Sequence, residues 1–399
     1  MKIQLFCAKI FISNFLGDYM QAVFKFVASF LSLLFFLFTG LPCIITESKS
    51  EREENIAQQI ERVESLSEAY ASGNYQKADE SALAGFDVSK AYADGVKFNE
   101  VAYIATHNSY QLESVPSYRK LYRDLENVTF GLIDGNAPEY SSDTLTEQFN
   151  LGIRSVELDI ETVVDGDDVS FVCSHSPLLD MTSSCYDFRL ALEEIKMWSD
   201  ANPCHLPITI IVEPKEFFLL EVGMRFMNVK YANEIDKLLI DVFGDTLITP
   251  ADMMGDYSSL KEMRENDGWL TLDECAGKVV VLLHDTDGVT SKYIKQDESI
   301  RTQAMFPMLR YKDRDKDYAS FLLVNRPADI AKYANELIYE KNLIVRTQVD
   351  TYGSYNEEDR KLTLLSGTQI LSTDYPKKTD MTDVEYYVDF EPGTARIIK

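Results

Sequence analysis

The chain of 399 residues is 45% hydrophobic and 12% aromatic, enough for a large buried core in one or two domains. Its 39 Lys and Arg against 65 Asp and Glu leave a formal net charge of -26. That balance excludes the basic footprint needed for nucleic acid and loose adhesion to anionic membranes, so an anionic substrate would require a cation held at the site.

Phe26–Ile45 is uncharged and follows Lys25. A run of about 20 apolar residues suits a bilayer span or a long secretory core. Residues 1–46 are therefore read as a signal peptide or membrane anchor. The protein is expected to be exported, secreted or tethered with its catalytic domain outside the cytoplasm. Residues 47–96 are charged and place Ile56, Ile60, Val63 and Leu66 at helical spacing, which predicts a helical lead-in. Residues 97–399 form the catalytic domain of this scheme.

From residue 97 short β-rich runs alternate with helical stretches. The predicted strands are 101–106, 155–160, 169–173, 208–213, 278–283, 321–324, 343–347 and 369–372. Amphipathic periodicity predicts helices over 186–200 and 229–243. Pro327 opens another over 328–341, and 357–365 is closed by Gly367. Eight strands alternating with helices predict an α/β fold, a (β/α)8 TIM-type barrel with its site at the C-terminal strand ends. No Gly-rich phosphate loop follows the first strand, which disfavours an open doubly wound sheet.

Of the six cysteines, Cys7 and Cys43 lie in or near the leader, and Cys173, Cys185, Cys204 and Cys275 in the body. None forms a CxxC pair, which disfavours zinc. One or two disulfides can form in an oxidising compartment, and Cys173 and Cys185 are the nearest pair in sequence. Spacing does not fix the connectivity.

Polar residues gather at the predicted strand ends: Thr106-His107-Asn108-Ser109-Tyr110, Glu157-Leu158-Asp159, Ser174-His175-Ser176-Pro177 and Glu213-Pro214-Lys215. Glu157 and Asp159 share one face of a strand, while Val156, Leu158 and Ile160 suit the helix layer. The carboxylates then point to the barrel axis, where like charges need a cation or a proton. The same parity turns Glu213 inward. Three carboxylates and the Asn108 amide oxygen are hard ligands that suit Ca²⁺, or less well Mg²⁺. His107 and His175 frame that site as proton-transfer groups, whereas His205 and His284 are read as structural. With Lys215 the assembly makes a positive cup in an acidic protein, fit for a phosphodiester.

These residues, with the segments ATHNSY, GIRSVELDI, CSHSP, WSDANPCHLPITIIVEPKE, LITPADMMGDYSSLKEMRENDGWLTLDECAGKVVVLL and GTQILSTDYP, resemble the calcium-dependent phosphoinositide phospholipase C-like family of TIM-barrel phosphodiesterases. The resemblance covers roughly residues 97–376. It implies one calcium ion on Asn108, Glu157, Asp159 and Glu213. It implies that His107 steadies the phosphorus and that His175 acts as general acid toward a diacylglycerol leaving group. The inositol 2-hydroxyl would attack, with Glu157 or Glu213 as base, and Lys215 and Arg346 would contact phosphate or inositol. The implied activity is calcium-dependent cleavage of phosphatidylinositol-type lipid at a membrane surface, with no nucleic acid and no obligate protein partner. Animal phospholipases of this superfamily carry a Lys-x-Lys pair on the fifth strand. Here that strand ends Leu283-His284-Asp285, so unphosphorylated phosphatidylinositol, a glycosyl-phosphatidylinositol anchor and other phosphodiesters stay open. Two alternatives remain: a glycerophosphodiester phosphodiesterase, which usually shows His-Arg-Gly where this chain has His107-Asn108-Ser109, and a catalytically silent barrel serving as a surface binding module.

Overall fold

The computed structural model describes residues 40–129, 135, 138–215, 223–284, 288–351, 354–376 and 386–399. The strands are β1 (Val101–Thr106), β2 (Ser155–Asp165), β3 (Asp168–Cys173), β4 (Ile208–Pro214), β5 (Met224–Arg225), β6 (Leu247–Ile248), β7 (Val279–His284), β8 (Phe306–Arg310), β9 (Phe321–Leu323), β10 (Ile344–Gln348), β11 (Ile370–Thr373) and β12 (Ala395–Ile397). The parallel order β1-β11-β10-β9-β8-β7-β4-β2 closes on itself where Ala105 of β1 pairs with Ser155 of β2. This is the predicted eight-stranded barrel. β12 runs antiparallel along the first half of β1, with Val101 opposite Ile397.

One strand of the predicted set is not a barrel strand. Residues 169–173 belong to β3, which folds back antiparallel on β2 with Ile160 opposite Cys173 and Asp165 opposite Asp168. The Asp165-Gly166-Asp167 turn has Gly166 at φ 61°, and the connection is too short for a parallel crossover of a dozen or more residues. Its place in the ring is taken by β8, between β7 and β9. Pro307 disguises β8 in the sequence, because a proline argues against a central strand.

Helices cover the ring: α1 (Leu41–Ser72), α2 (Pro116–Thr129), α3 (Leu145–Asn150), α4 (Phe188–Ala201), α5 (Val229–Phe243), α6 (Pro327–Ala334) and α7 (Glu357–Leu365). Helix α6 passes into a π-helical turn over Asn335–Glu340, and Gly367 at φ 79° follows α7 as predicted. Asp187 caps α4 by accepting from the amide of Leu190, and Asn228 caps α5 likewise at Lys230 and Tyr231. The outward faces of β2 and β4 (Val156, Leu158, Ile160, Ile208, Ile210, Val212) pack with Leu192, Ile195 and Trp198 of α4 and Ile235 and Leu239 of α5. Trp198 is 1% exposed, so truncating it to Ala would cost about 3–5 kcal/mol.

The buried face of α1 differs from the expected apolar stripe. Ile60 is 42% exposed, and the helix buries Ile44, Ser48, Asn55, Gln59 and Val63. Its polar side chains satisfy the backbone of the segment leading into α4. Ser48 accepts from the Met181 amide at 3.0 Å and Asn55 from the Ser183 amide at 3.2 Å. Gln59 accepts from the Asp187 amide at 2.8 Å and donates back to its carbonyl at 2.9 Å. Arg62 pairs with the buried Glu194 at 3.1 Å. Further on, Glu80 pairs with Arg154, whose guanidinium lies 4.7 Å from the Trp198 ring, and so fastens this region to the base of β2. Most of the apolar run at residues 26–45 lies outside the described residues. Among the described residues no helix is long and apolar enough to cross a membrane.

Candidate active site

Neighbouring strands β2 and β4 are in register with Asp159 beside Glu213, and alternation puts Glu157 on the same face. Carboxylate oxygens of Glu157, Asp159 and Glu213 all lie within 4.8 Å of one another, and all three residues are buried. The parity read from the sequence therefore holds: the acids face the axis and their apolar neighbours face the helices.

Such crowding is tolerated because two cations reach in, one from across the barrel and one from the end of β4 itself. Arg346 of β10 places a guanidinium nitrogen 2.6 Å from Glu157 and 2.9 Å from the Ser372 hydroxyl. Lys215, just beyond β4, bridges Asp159 at 2.9 Å and Glu213 at 2.8 Å. Burial alone would raise the Glu157 carboxyl, but Arg346 and then His107 hold it down at about 2. Burial raises Asp159 and Glu213 above the usual carboxylate range against the pull of Lys215; the Glu157 charge adds to both shifts, and the Asp159 charge adds to that of Glu213. Burial depresses the Lys215 ammonium, yet its two carboxylates outweigh that and raise it.

The turn after β1 supplies the next layer. Asn108 adopts φ 42°, a left-handed conformation asparagine tolerates, and its amide nitrogen donates to the Tyr140 hydroxyl at 3.0 Å. Its Oδ1 is buried without a hydrogen-bond partner, as is Oδ1 of Asp159. The Ser109 hydroxyl accepts from the Glu157 amide at 2.8 Å, and Tyr110 donates to Asp159 at 2.9 Å. β1 is thus stitched to the acid-bearing strand. Three carboxylates, one with an orphaned oxygen, and the orphaned amide oxygen of Asn108 are a hard donor set that fits a Ca²⁺-type ion, with Lys215 giving up its place between Asp159 and Glu213.

His107 and His175 both line a cavity of about 250 Å³ with Asn108, Asp180, Tyr118 and Asp374. Nδ1 of His107 lies 2.9 Å from Oδ1 of Asp374, which follows β11. Burial lowers the imidazole's proton affinity, but Asp374 and then Glu157 carry it up to about 9. His175 stands open to the cavity on the loop after β3. Removal of water by the cleft walls, and then the Lys215 charge, push it down to about 4.

Sequence reasoning missed Asp374, although it sits inside the quoted segment GTQILSTDYP, because an acid after the last strand carries no signal until the barrel closes. It also assigned His284 a structural role. Nδ1 of His284 lies 3.8 Å from Glu213 and has no hydrogen-bond partner, so this ring borders the acidic cluster. His205 is structural as read, with Nε2 at 2.7 Å from the Ser199 hydroxyl and Nδ1 at 2.6 Å from the Leu206 carbonyl. The cavity walls Tyr118, on helix α2, and Tyr140 and Asp180, on loops, carry no motif of their own.

A parallel barrel with acids converging on its axis and imidazoles above them defines the class of TIM-barrel hydrolases built around a hard cation. The particular family follows from the sequence: the family model for Ca²⁺-dependent phosphoinositide phospholipase C matches residues 168–398, more than half of the chain, and the chain belongs to that family of phosphoric diester hydrolases. A calcium-dependent phosphoinositol-specific phospholipase C from a Gram-negative Pseudomonas sp., in its myoinositol complex, is similar in structure at 18% identity and a TM-score of 0.54. The match covers 80% of this chain and 100% of that one. A second crystal form of the apo Pseudomonas enzyme gives 18% identity and a TM-score of 0.52, over 77% of this chain and 99% of that one. At these identities the likeness shows the fold. No curated protein matches the chain.

Proposed function

We propose that this protein cleaves phosphatidylinositol-type lipid at a membrane surface, releasing diacylglycerol and an inositol cyclic phosphate, with one calcium ion on Asn108, Glu157, Asp159 and Glu213. The observation that carries this reading is the meeting of three buried carboxylates within 4.8 Å, beside a cavity flanked by two imidazoles of opposite charge preference. Calcium, when bound, lowers the pKa of the attacking hydroxyl and offsets charge building on phosphorus.

The chain's own residues do the rest. His107, protonated at neutral pH and held by Asp374, donates to a phosphoryl oxygen and keeps the phosphorus in place. The inositol 2-hydroxyl forms the new O–P bond and loses its proton to Glu157 or Glu213. The O–P bond to diacylglycerol breaks, and His175 protonates the departing alkoxide. His175 is neutral in the ligand-free cleft, and the negative charge of an entering phosphodiester raises its proton affinity, which suits it to that task. Lys215 and Arg346, paired with the acids, are the residues assigned in this reading to contact phosphate or inositol. The end of β7 offers His284 rather than a lysine pair, which supports a substrate without ring phosphates. The apolar run at residues 26–45 supports a leader or anchor over residues 1–46, with 47–96 as lead-in to the catalytic domain at 97–399 and the whole exported.

The test is hydrolysis of phosphatidylinositol in mixed micelles by the full-length chain, with calcium or with chelator. Calcium-dependent release of diacylglycerol is expected. Release of glycerol phosphate from glycerophosphoinositol in its place would assign the phosphodiesterase alternative.

A further inference from the structure

The loop that carries His175 begins and ends at cysteines. Cys173 closes β3 and Cys185 leads into α4, and both are 0% exposed in the same core cluster. Backbone pairing fixes the two ends beside each other. Val172 and Asp187 form an antiparallel bridge, and the Cys173 amide donates to the Tyr186 carbonyl at 2.7 Å. The other described cysteines lie elsewhere: Cys43 and Cys204 are exposed, and Cys275 is buried in the second core cluster.

We propose that Cys173 and Cys185 form a disulfide that staples the loop 174–184, the segment holding His175 and Asp180, to the barrel. The chemistry is exchange with a low-molecular-weight or protein disulfide donor. One cysteine thiolate attacks the donor, the second displaces the mixed disulfide, and the donor leaves as two thiols as the S–S bond forms. Exchange belongs to folding, before the loop packs. Once the pair is buried the thiolate is disfavoured and solvent is excluded, so the bond then resists reduction. A covalent closure over so short a loop removes conformations from the unfolded chain, and it fixes both ends of a segment otherwise held by polar contacts to α1.

The experiment needs no assumption about export or catalysis. The full-length chain is made in cells with an oxidising cytoplasm, unfolded in an alkylating agent and digested. The expected result is a peptide pair joined through Cys173 and Cys185 that separates on reduction. Complete alkylation of both cysteines would overturn the proposal. As a second readout, the protein refolded from denaturant in the presence of reductant should unfold about 3 °C or more below the protein refolded without it, whereas Cys173→Ala/Cys185→Ala should unfold at one temperature either way. An equal response of both proteins would also overturn it.

Discussion

Oδ1 of Asp374 lies 2.9 Å from Nδ1 of His107, so the last barrel strand orients the imidazole carried by the first. The cause is register: Thr106 of β1 pairs with Thr373 of β11, and the next residue on each strand emerges side by side at the barrel mouth. Asp374 is itself fixed, its amide donating to Asp350 at 2.9 Å. Asp374→Asn should therefore leave the fold intact and lower kcat by about one to three decades with a smaller change in KM, because the ring loses its orienting charge. Unchanged kcat would remove Asp374 from the positioning of His107.

His175 lines the same cavity. His175→Ala is expected to lower turnover by about two to four decades, the usual loss on removing an acid–base group. Circular dichroism and the thermal transition should stay as in the parent, since this ring stands open to the cavity. Near-parental turnover would exclude it from proton transfer.

Metal affinity separates two roles within the acidic cluster. Glu157→Gln removes a ligand charge and should weaken calcium binding about tenfold or more in a calorimetric titration. Lys215→Met should do the reverse and tighten calcium about tenfold, because the ammonium at 2.9 Å from Asp159 and 2.8 Å from Glu213 competes with the ion for both carboxylates. Turnover of Lys215→Met should still fall if the proposed phosphate contact is made by this ammonium. Equal calcium affinity in all three proteins would reject the cluster as the metal site.

Away from the site, burial raises the Asp236 carboxyl to about 7 despite the Tyr293 hydroxyl donating to it at 2.6 Å. The folded form then binds this proton more tightly than the unfolded chain, whose carboxyl titrates near the ordinary value of about 3.9. Its contribution to stability is fully present below pH ~4, falls as pH rises to ~7, and is flat beyond. Asp236→Asn should abolish that fall, so the difference in thermal midpoint between variant and parent should grow by a few °C from pH 4 to pH 8. A pH-independent difference would show that the carboxyl is not raised.

By itself the sequence determined the barrel and the direction its acids face. Both are local properties: strand alternation ties Glu157 and Asp159 to one face and Val156, Leu158 and Ile160 to the other, and any parallel ring must bury the apolar set under helices. It also contained the sign of a hairpin at Asp165-Gly166-Asp167, passed over because residues 169–173 are as apolar as a barrel strand. Only the tertiary structure decided that β8 with Pro307 completes the ring, that Asp374 reaches His107, and that His284 borders Glu213. These are contacts between residues distant in the chain, and they exist only once closure sets the register of every strand. The polar face of α1 belongs with them. Ser48, Asn55 and Gln59 look like solvent residues until the amides they serve, 133, 128 and 128 positions further on, fold beneath them.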